Sequence, residues 1–208
     1  MYIARVLYPV KVLGPGNRIG IWVAGCCHEC KGCSNPELWE RNEKYFITKN
    51  KFREIIFSIS NRFKVDGFTL TGGDPFFNAS DLNDILEVIT TVSEDVLVYT
   101  GYSYSSLLAK IEYKQCLDRI AVLIDSPYVE SLNNNSFLRG SSNQQIIILK
   151  EAYKDKFERY LKNGRNEIQN FMTGNGFISV GIHGRDYENQ LQGKLRQIHL
   201  EYDETKLN

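Results

Sequence analysis

Short apolar runs alternate along the chain with stretches in which apolar residues recur at helical spacing. The runs are rich in Val, Ile, Phe and Tyr, which favour extended backbone, and they predict strands over residues 3–7, 19–23, 67–71, 96–100, 120–124 and 146–149. The spacing between them predicts helices over residues 51–63, 80–92, 104–113 and 151–162. This alternation is typical of an α/β fold in which helices cover a parallel sheet.

The helix predicted after the third strand has a recognisable start. Asn78 or Ser80 can accept a hydrogen bond from the free amides of its first turn. The apolar positions that follow are assigned to the core and carry no functional message; they are Leu82, Ile85, Leu86 and Ile89.

The pattern of alternating strand-like and helix-like segments ends after Gly164. Residues 171–173 and 177–182 predict a hairpin around a Gly-Asn-Gly turn at 174–176, and a polar tail follows. We therefore divide the chain into a core domain, residues 1–162, and a C-terminal extension, residues 163–208.

The composition of the chain argues against several classes of function and does not indicate a specific one. Lys and Arg together number 25, as do Asp and Glu, so no overall field points to nucleic acid or an anionic membrane. The N-terminus has no signal-peptide pattern, and no apolar run reaches the roughly 18 residues of a membrane span. An odd number of cysteines suits a reducing compartment. We expect a cytoplasmic protein that binds neither nucleic acid nor membrane.

The largest cluster of potentially reactive or metal-binding residues follows the second predicted strand. Cys26, Cys30 and Cys33 give C-x3-C-x2-C, and Cys27 offers a second register, C-x2-C-x2-C. Three thiolates are one short of the four that saturate an iron–sulfur cubane, which would leave one iron open. Zinc is an alternative if His28 completes a set of four ligands. Thiol redox exchange through a C-x-x-C pair is another.

Five segments in order resemble a known family. They are "VLGPGNRIGIWVAGCCHECKGCSNPELW" (12–39), "FTLTGGDPFF" (68–77), "VLVYTGYSYSSL" (96–107), "VLIDSPYVESL" (122–132) and "FLRGSSNQQIIIL" (137–149). Together they resemble the radical S-adenosylmethionine (SAM) family, and within it the activating proteins of anaerobic ribonucleotide reductase. The resemblance covers roughly residues 2–150.

The resemblance implies an incomplete (β/α) barrel with the cluster on the loop after its first strand. It implies that Cys26, Cys30 and Cys33 hold three irons of a [4Fe–4S] cluster, so that they are both the catalytic and the metal-binding residues, while Cys27 is spare. The fourth iron would chelate the methionine part of SAM. Reductive cleavage would then give methionine and a 5′-deoxyadenosyl radical, chemistry that belongs to the cofactor.

The turn Thr71, Gly72, Gly73, Asp74, Pro75 resembles the family's SAM-binding segment, with Asp74 where many members carry Glu. The two glycines would let backbone approach the methionine moiety. Carbonyl or side-chain oxygens would accept hydrogen bonds from the SAM ammonium group. Taken alone, the segment also fits an ordinary strand-to-helix turn capped by Asp74.

Three further residues are candidates for SAM binding. Thr100 and Asp125 fall at strand ends; Asp125 would face the ribose or the sulfonium, or would cap a turn. Arg139 would grip the SAM carboxylate, or would form a structural salt bridge. The remaining singled-out residues are assigned no catalytic role: His183, His199 and Cys116.

The function implied by the resemblance is activation of a large glycyl-radical enzyme such as anaerobic ribonucleotide reductase, by removal of a glycine Cα hydrogen. An electron donor such as flavodoxin or ferredoxin would reduce the cluster. One alternative keeps the radical chemistry but acts directly on a peptide or a small molecule. Another, of a different class, is a non-catalytic zinc or iron–sulfur binding module.

Overall fold

The computed structural model describes residues 1–174 and 176–197, and its main feature is one six-stranded sheet. The strands lie side by side in chain order: β1 (Ile3–Val10), β2 (Arg18–Val23), β3 (Gly67–Gly72), β4 (Val96–Tyr99), β5 (Val122–Asp125) and β6 (Gln145–Ile148). Strands β2 to β5 are parallel, whereas β1 and β6 run antiparallel to their neighbours. The mixed α/β class is confirmed, but the expectation of a parallel sheet is wrong at both edges.

The connections explain the two antiparallel edges. A parallel neighbour needs a crossover connection, usually a helix. Residues 11–17, between β1 and β2, are too few for one. Residues 126–144, between β5 and β6, contain no α-helix, only a 3₁₀ turn at Glu130–Leu132. Without a crossover helix, each of these two connections leads into a strand that pairs antiparallel with the one before it.

Helices lie at all four predicted positions, one of them shortened, and two further helices were not predicted. They are α1 (Lys49–Ser60), α2 (Ala79–Ile89), α3 (Tyr104–Leu108), α4 (Lys114–Asp118), α5 (Lys154–Asn163) and α6 (Tyr187–Gln197). The predicted helix over 104–113 is wrong in its length, because α3 ends at Leu108 and a 3₁₀ turn leads into α4. Asn78, rather than Ser80, caps α2, accepting a hydrogen bond from the backbone of Asp81.

Side chains of the strands alternate between two apolar layers. Ile19, Ile21 and Val23 of β2 pack into a core shared with α1, α2 and α4. Trp22 points to the opposite face. Among the described residues no helix is long and apolar enough to cross a membrane.

A two-stranded hairpin, β7 (Ile168–Thr173) and β8 (Gly176–Gly181), packs on the Trp22 face of the sheet. Val180 is its most deeply buried residue, 2% exposed. The predicted hairpin is confirmed, with a longer first strand; Asn175 in its turn and residues 198–208 lie outside the described residues. Within the expected polar tail, residues 187–197 form a helix, α6.

Arg18 fixes the amino ends of three adjacent strands. Its buried guanidinium donates to Thr69 Oγ1 at 2.8 Å and to Asp95 Oδ1 at 3.0 Å, directly before β4. Burial lowers the pKa of Arg18, and the Asp95 carboxylate opposes that shift. Because Arg18 fills the space at the amino ends of these strands, we expect a ligand site among the loops at their carboxyl ends, where α/β folds usually bind ligands.

Candidate functional site

The four clustered cysteines lie on one loop that leaves the carboxyl end of β2. The neck of this cysteine loop, residues 25–39, is closed by two backbone hydrogen bonds: Gly25 N to Leu38 O at 2.9 Å and Cys26 N to Trp39 O at 2.8 Å. Gly25 has a φ of +109°, a conformation that favours glycine. These two hydrogen bonds therefore anchor the cysteine loop to the end of the sheet.

Two cysteines of the C-x3-C-x2-C register face a backbone N–H. His28 N lies 3.5 Å from Cys26 Sγ, and Asn35 N lies 3.4 Å from Cys33 Sγ. Burial raises the pKa of the Cys30 thiol, and the backbone N–H of Tyr128 in the 126–144 loop opposes that shift. Donors of this kind stabilise thiolate sulfur and tune iron–sulfur clusters.

Burial separates the cysteines further. Cys26, Cys30 and Cys33 are partly buried, whereas Cys27 is exposed. Desolvation raises the pKa of the Cys26 and Cys30 thiols. Metal binding would oppose this shift, because the ligand form is the thiolate. Cys27 Sγ instead lies 3.2 Å from the hydroxyl oxygen of Tyr102.

The donor set fits a cluster better than a single ion. Within residues 1–174 and 176–197, no three His, Cys, Asp or Glu side chains converge on one metal position. A structural zinc site needs four ligands around one ion, and His28, the candidate fourth ligand, is paired with Asp74 at 2.8 Å. Three separate thiols on one loop suit a cubane, in which each cysteine binds a different iron.

Asp74 joins the glycine-rich turn to the cysteine loop. Its carboxylate, 1% exposed, accepts hydrogen bonds from the backbone of Phe76 at 2.8 Å and of Gly101 at 2.9 Å. The Thr100 hydroxyl donates to it at 3.0 Å, and His28 Nε2 lies 2.8 Å away. Asp74 thus caps its own turn and also ties together three loops.

Gly72 and Gly73 bring backbone against backbone. A Cβ on Gly72 would lie 2.6 Å from Val23 O, and one on Gly73 would lie 2.4 Å from Gly25 O and 2.8 Å from Leu38 O. All three distances are shorter than side chains tolerate, so glycine is required at both positions, at Gly72 for packing against β2 and at Gly73 for packing against the cysteine loop. The rest of the predicted turn is Thr71, half-buried opposite Trp22 in β2, and Pro75, buried at the start of a 3₁₀ turn.

Asp125 and Arg139 lie in or beside the 126–144 loop. The buried Asp125 carboxylate accepts hydrogen bonds from Tyr104 N at 2.8 Å and Gln145 N at 3.2 Å, which matches a capping role. Arg139 donates to Gln144 O at 3.0 Å. In the described part of the chain no carboxylate pairs with Arg139, and its buried Nε has no partner.

Four contacts of the site were not foreseen from the sequence. His28 was considered as a zinc ligand, yet its ring pairs with Asp74 and packs edge-on to Tyr102, with centroids 4.7 Å apart. The Tyr102 hydroxyl contacts Cys27, and this hydrogen bond, together with burial, raises the pKa of Tyr102. Glu130 pairs with Lys31 of the cysteine loop at 3.0 Å. All four join residues far apart in sequence, where local patterns carry no signal.

Comparison with known proteins agrees with this geometry. A family model described as "4Fe-4S single cluster domain" matches residues 12–147. The anaerobic ribonucleoside-triphosphate reductase-activating protein of Escherichia coli (strain K12) is 37% identical over 147 residues, 67% of this chain and 94% of that protein. The proteins of the same name from Vibrio cholerae and Enterobacteria phage T4 are 34% and 31% identical, with 67% of this chain and 93% and 90% of theirs covered.

The resemblance inferred from the five segments is therefore confirmed. The matched region contains the cysteine loop, the glycine-rich turn and the strand ends that surround them. The chain belongs to the 4Fe-4S single cluster domain family, together with the anaerobic ribonucleoside-triphosphate reductase-activating proteins.

Proposed function

We propose that this chain is a radical SAM enzyme that places a glycyl radical on an anaerobic ribonucleoside-triphosphate reductase. One observation carries the proposal. In a chain related to the activating proteins, three partly buried thiols lie on one loop, two of them face a backbone N–H, and that loop is packed against a glycine-rich turn. Cluster and SAM together would supply a 5′-deoxyadenosyl radical.

The chain's own contribution at the cluster is to bind and orient it. Cys26, Cys30 and Cys33 are the proposed ligands, and Cys27, held at the Tyr102 hydroxyl, is left out. The backbone N–H donors at Cys26 and Cys33 would stabilise negative charge on those ligand sulfurs. The partial burial of Cys26 and Cys30 keeps water from much of that site.

SAM would lie at the carboxyl ends of the parallel strands. Because the described donors already occupy Asp74, we propose that its side chain positions the turn, while backbone carbonyls of Gly72 and Gly73 accept from the SAM ammonium. The same side of the SAM site would be completed by Thr71, Pro75 and Thr100. Asp125 would orient the adjacent strand end, and the unpaired guanidinium nitrogen of Arg139 would meet the SAM carboxylate.

The architecture supports this placement. The four parallel strands β2–β5, in sequential order within an open sheet, support an incomplete (β/α) barrel; the two edge strands are antiparallel additions to it. We propose residues 1–162 as that core domain and residues 163–208 as an extension. Five unpaired cysteines suit the reducing cytoplasm. A flavodoxin or a ferredoxin is the proposed electron donor.

Direct action on a peptide or a small molecule is the second candidate. The observation that favours it is the C-terminal part of the chain, which lies outside the family match and folds back on the loop beside Cys30. An added wall at this position would reshape the substrate entrance. Genuine activation of a reductase would exclude this candidate as the main activity.

The test is to mix the reduced, cluster-loaded protein with SAM and the anaerobic ribonucleoside-triphosphate reductase of the same cell. The proposal predicts an organic radical signal in electron paramagnetic resonance, formed with methionine and 5′-deoxyadenosine. Labelling the reductase with glycine deuterated at Cα should collapse the hyperfine splitting of that signal. Cleavage of SAM without any reductase radical would point to the second candidate instead.

A further inference from the structure

Residues 165–174 and 176–187, here named the C-terminal clamp, follow the region matched by the family model, which ends at residue 147. Asn166, near its start, holds one turn of the 126–144 loop. Its Oδ1 accepts from Leu138 N at 3.1 Å, and its Nδ2 donates to Asn135 O and Ser136 O, both at 3.0 Å. One side-chain amide thus satisfies three backbone groups of the loop.

The turn that Asn166 holds has an unusual backbone. Asn135 and Leu138 have φ values of +60° and +63°, in the left-handed region that non-glycine residues rarely adopt. Such conformations persist where surrounding contacts stabilise them. Leu138 is fully buried, and its carbonyl accepts from the Tyr99 hydroxyl at 3.0 Å. The Asn166 side-chain amide contacts the backbone of the same turn, at Leu138 N, Asn135 O and Ser136 O.

A second connection joins the far end of the clamp to the same loop. The side-chain nitrogen of Asn133, in a residue that is 7% exposed, donates to His183 O and to the Tyr128 hydroxyl, both at 3.1 Å. Arg185 donates to the carbonyl oxygen of Ser131. The clamp therefore holds the loop at two places.

The opposite side of the loop touches the cysteine loop. Glu130 pairs with Lys31 at 3.0 Å, and a Cβ on Gly32 would lie 3.0 Å from Glu130 Oε1. Lys31 and Gly32 lie between Cys30 and Cys33 in the sequence. Burial raises the pKa of the Cys30 thiol, and the backbone N–H of Tyr128 opposes that shift. The 126–144 loop thus connects the clamp to the cysteine loop between two proposed cluster ligands.

We propose that the C-terminal clamp is a positioning element of the cysteine site, with Asn166 as its principal positioning residue. By fixing the 126–144 loop, it holds Glu130 against Lys31 and Gly32, between the proposed ligands Cys30 and Cys33. It also keeps the Tyr128 N–H of the same loop available to the Cys30 sulfur. The inference rests on the proposed function in taking Cys30 as a cluster ligand. A donor on a ligand sulfur favours the more negative, reduced cluster, so losing it should lower the reduction potential.

The test compares Asn166→Ala with Asn163→Ala in the full chain. Asn163 is a matched control: it is an exposed asparagine three residues away that donates only within its helix, to Arg159 O. Arg185→Ala is a second variant, since Arg185 is exposed and its loss should not prevent folding. Three quantities are measured: hydrogen exchange of residues 128–138, iron release to a chelator, and the cluster midpoint potential.

Asn166→Ala is expected to bind as much iron as the unaltered protein, to exchange faster across residues 128–138, and to release iron faster. Its reduced-to-oxidised ratio at a fixed potential should fall, and a roughly tenfold fall corresponds to 59 mV for one electron. Arg185→Ala should change in the same direction by less, and Asn163→Ala should not change.

Unchanged exchange in both Asn166→Ala and Arg185→Ala would overturn the inference. Faster exchange with unchanged potential and iron release would overturn it as well, because the clamp would then hold the loop without acting on the site. An unaltered protein that forms no [4Fe–4S] cluster would overturn the proposed function itself, and this inference with it.

Discussion

Replacement of Asp74 by alanine tests the junction between the glycine-rich turn and the cysteine loop. The substitution removes the acceptor of four donors while leaving the donors in place. The Thr100 hydroxyl can rotate, and the His28 ring, 17% exposed, can reach water. The backbone N–H groups of Phe76 and Gly101 have no such alternative.

The magnitude follows from those two amides. A buried donor left without a partner costs about 1–3 kcal/mol, so Asp74→Ala should lower the free energy of unfolding by roughly 2–6 kcal/mol. That is a large share of the ~5–15 kcal/mol by which most domains are stable. Asp74→Asn keeps one acceptor oxygen and should cost about half as much.

The assay is anaerobic urea unfolding of the cluster-free protein, followed by tryptophan fluorescence and circular dichroism. Asp118→Ala is the control; Asp118 is exposed, and its substitution should stay within about 0.5 kcal/mol of the unaltered protein. An Asp74→Ala protein as stable as the Asp118 variant would refute the assignment of Asp74 as a structural junction.

Three further predictions address the ligands, the glycine contact and the clamp. Cys30→Ala should abolish iron–sulfur absorbance and SAM cleavage, whereas Cys27→Ala should retain both. Gly73→Ala places a Cβ 2.4 Å from a carbonyl oxygen and should cost about 1–3 kcal/mol or more in urea unfolding; Gly174→Ala, with open space around it, should change little. Burial lowers the pKa of His183, so its stabilising contribution is complete above pH 6.5 and is lost as pH falls below that value. His183→Gln should flatten this acid-side decline in urea midpoints.

Each of these has a clear contrary result. A cluster retained in Cys30→Ala, or lost in Cys27→Ala, would reverse the cysteine register. Equal stability of Gly73→Ala and Gly174→Ala would mean that the close backbone contact relaxes without cost. An acid-side decline that persists in His183→Gln would assign the pH dependence to other groups.

The sequence predicted the framework well because the framework depends on local patterns. All six sheet strands and the hairpin came from runs of branched and aromatic residues, and Asn78 was one of two residues recognised as a possible cap. Strand direction at the edges was wrong, because it depends on what the connection contains rather than on the strand itself. The α3 break was missed for a related reason: its apolar spacing continues through a 3₁₀ turn.

The site was predicted at the level of motifs but not of contacts. The cysteine loop and the glycine-rich turn were found separately, yet only the fold places Gly73 against Gly25 O. Asp74 was assigned to SAM or to a turn cap, and its link to His28, 46 residues away, has no local signature. The clamp contact of Asn166 with Asn135 is invisible to pattern analysis for the same reason.

The most direct test of the central claim is electron paramagnetic resonance of the anaerobically reconstituted, reduced protein with and without SAM. 5′-Deoxyadenosine is measured in the same samples. The account predicts a [4Fe–4S]⁺ signal that changes when SAM is added, together with 5′-deoxyadenosine formation that depends on Cys30. A protein that forms no such cluster, or whose cluster neither responds to SAM nor cleaves it, would contradict the account.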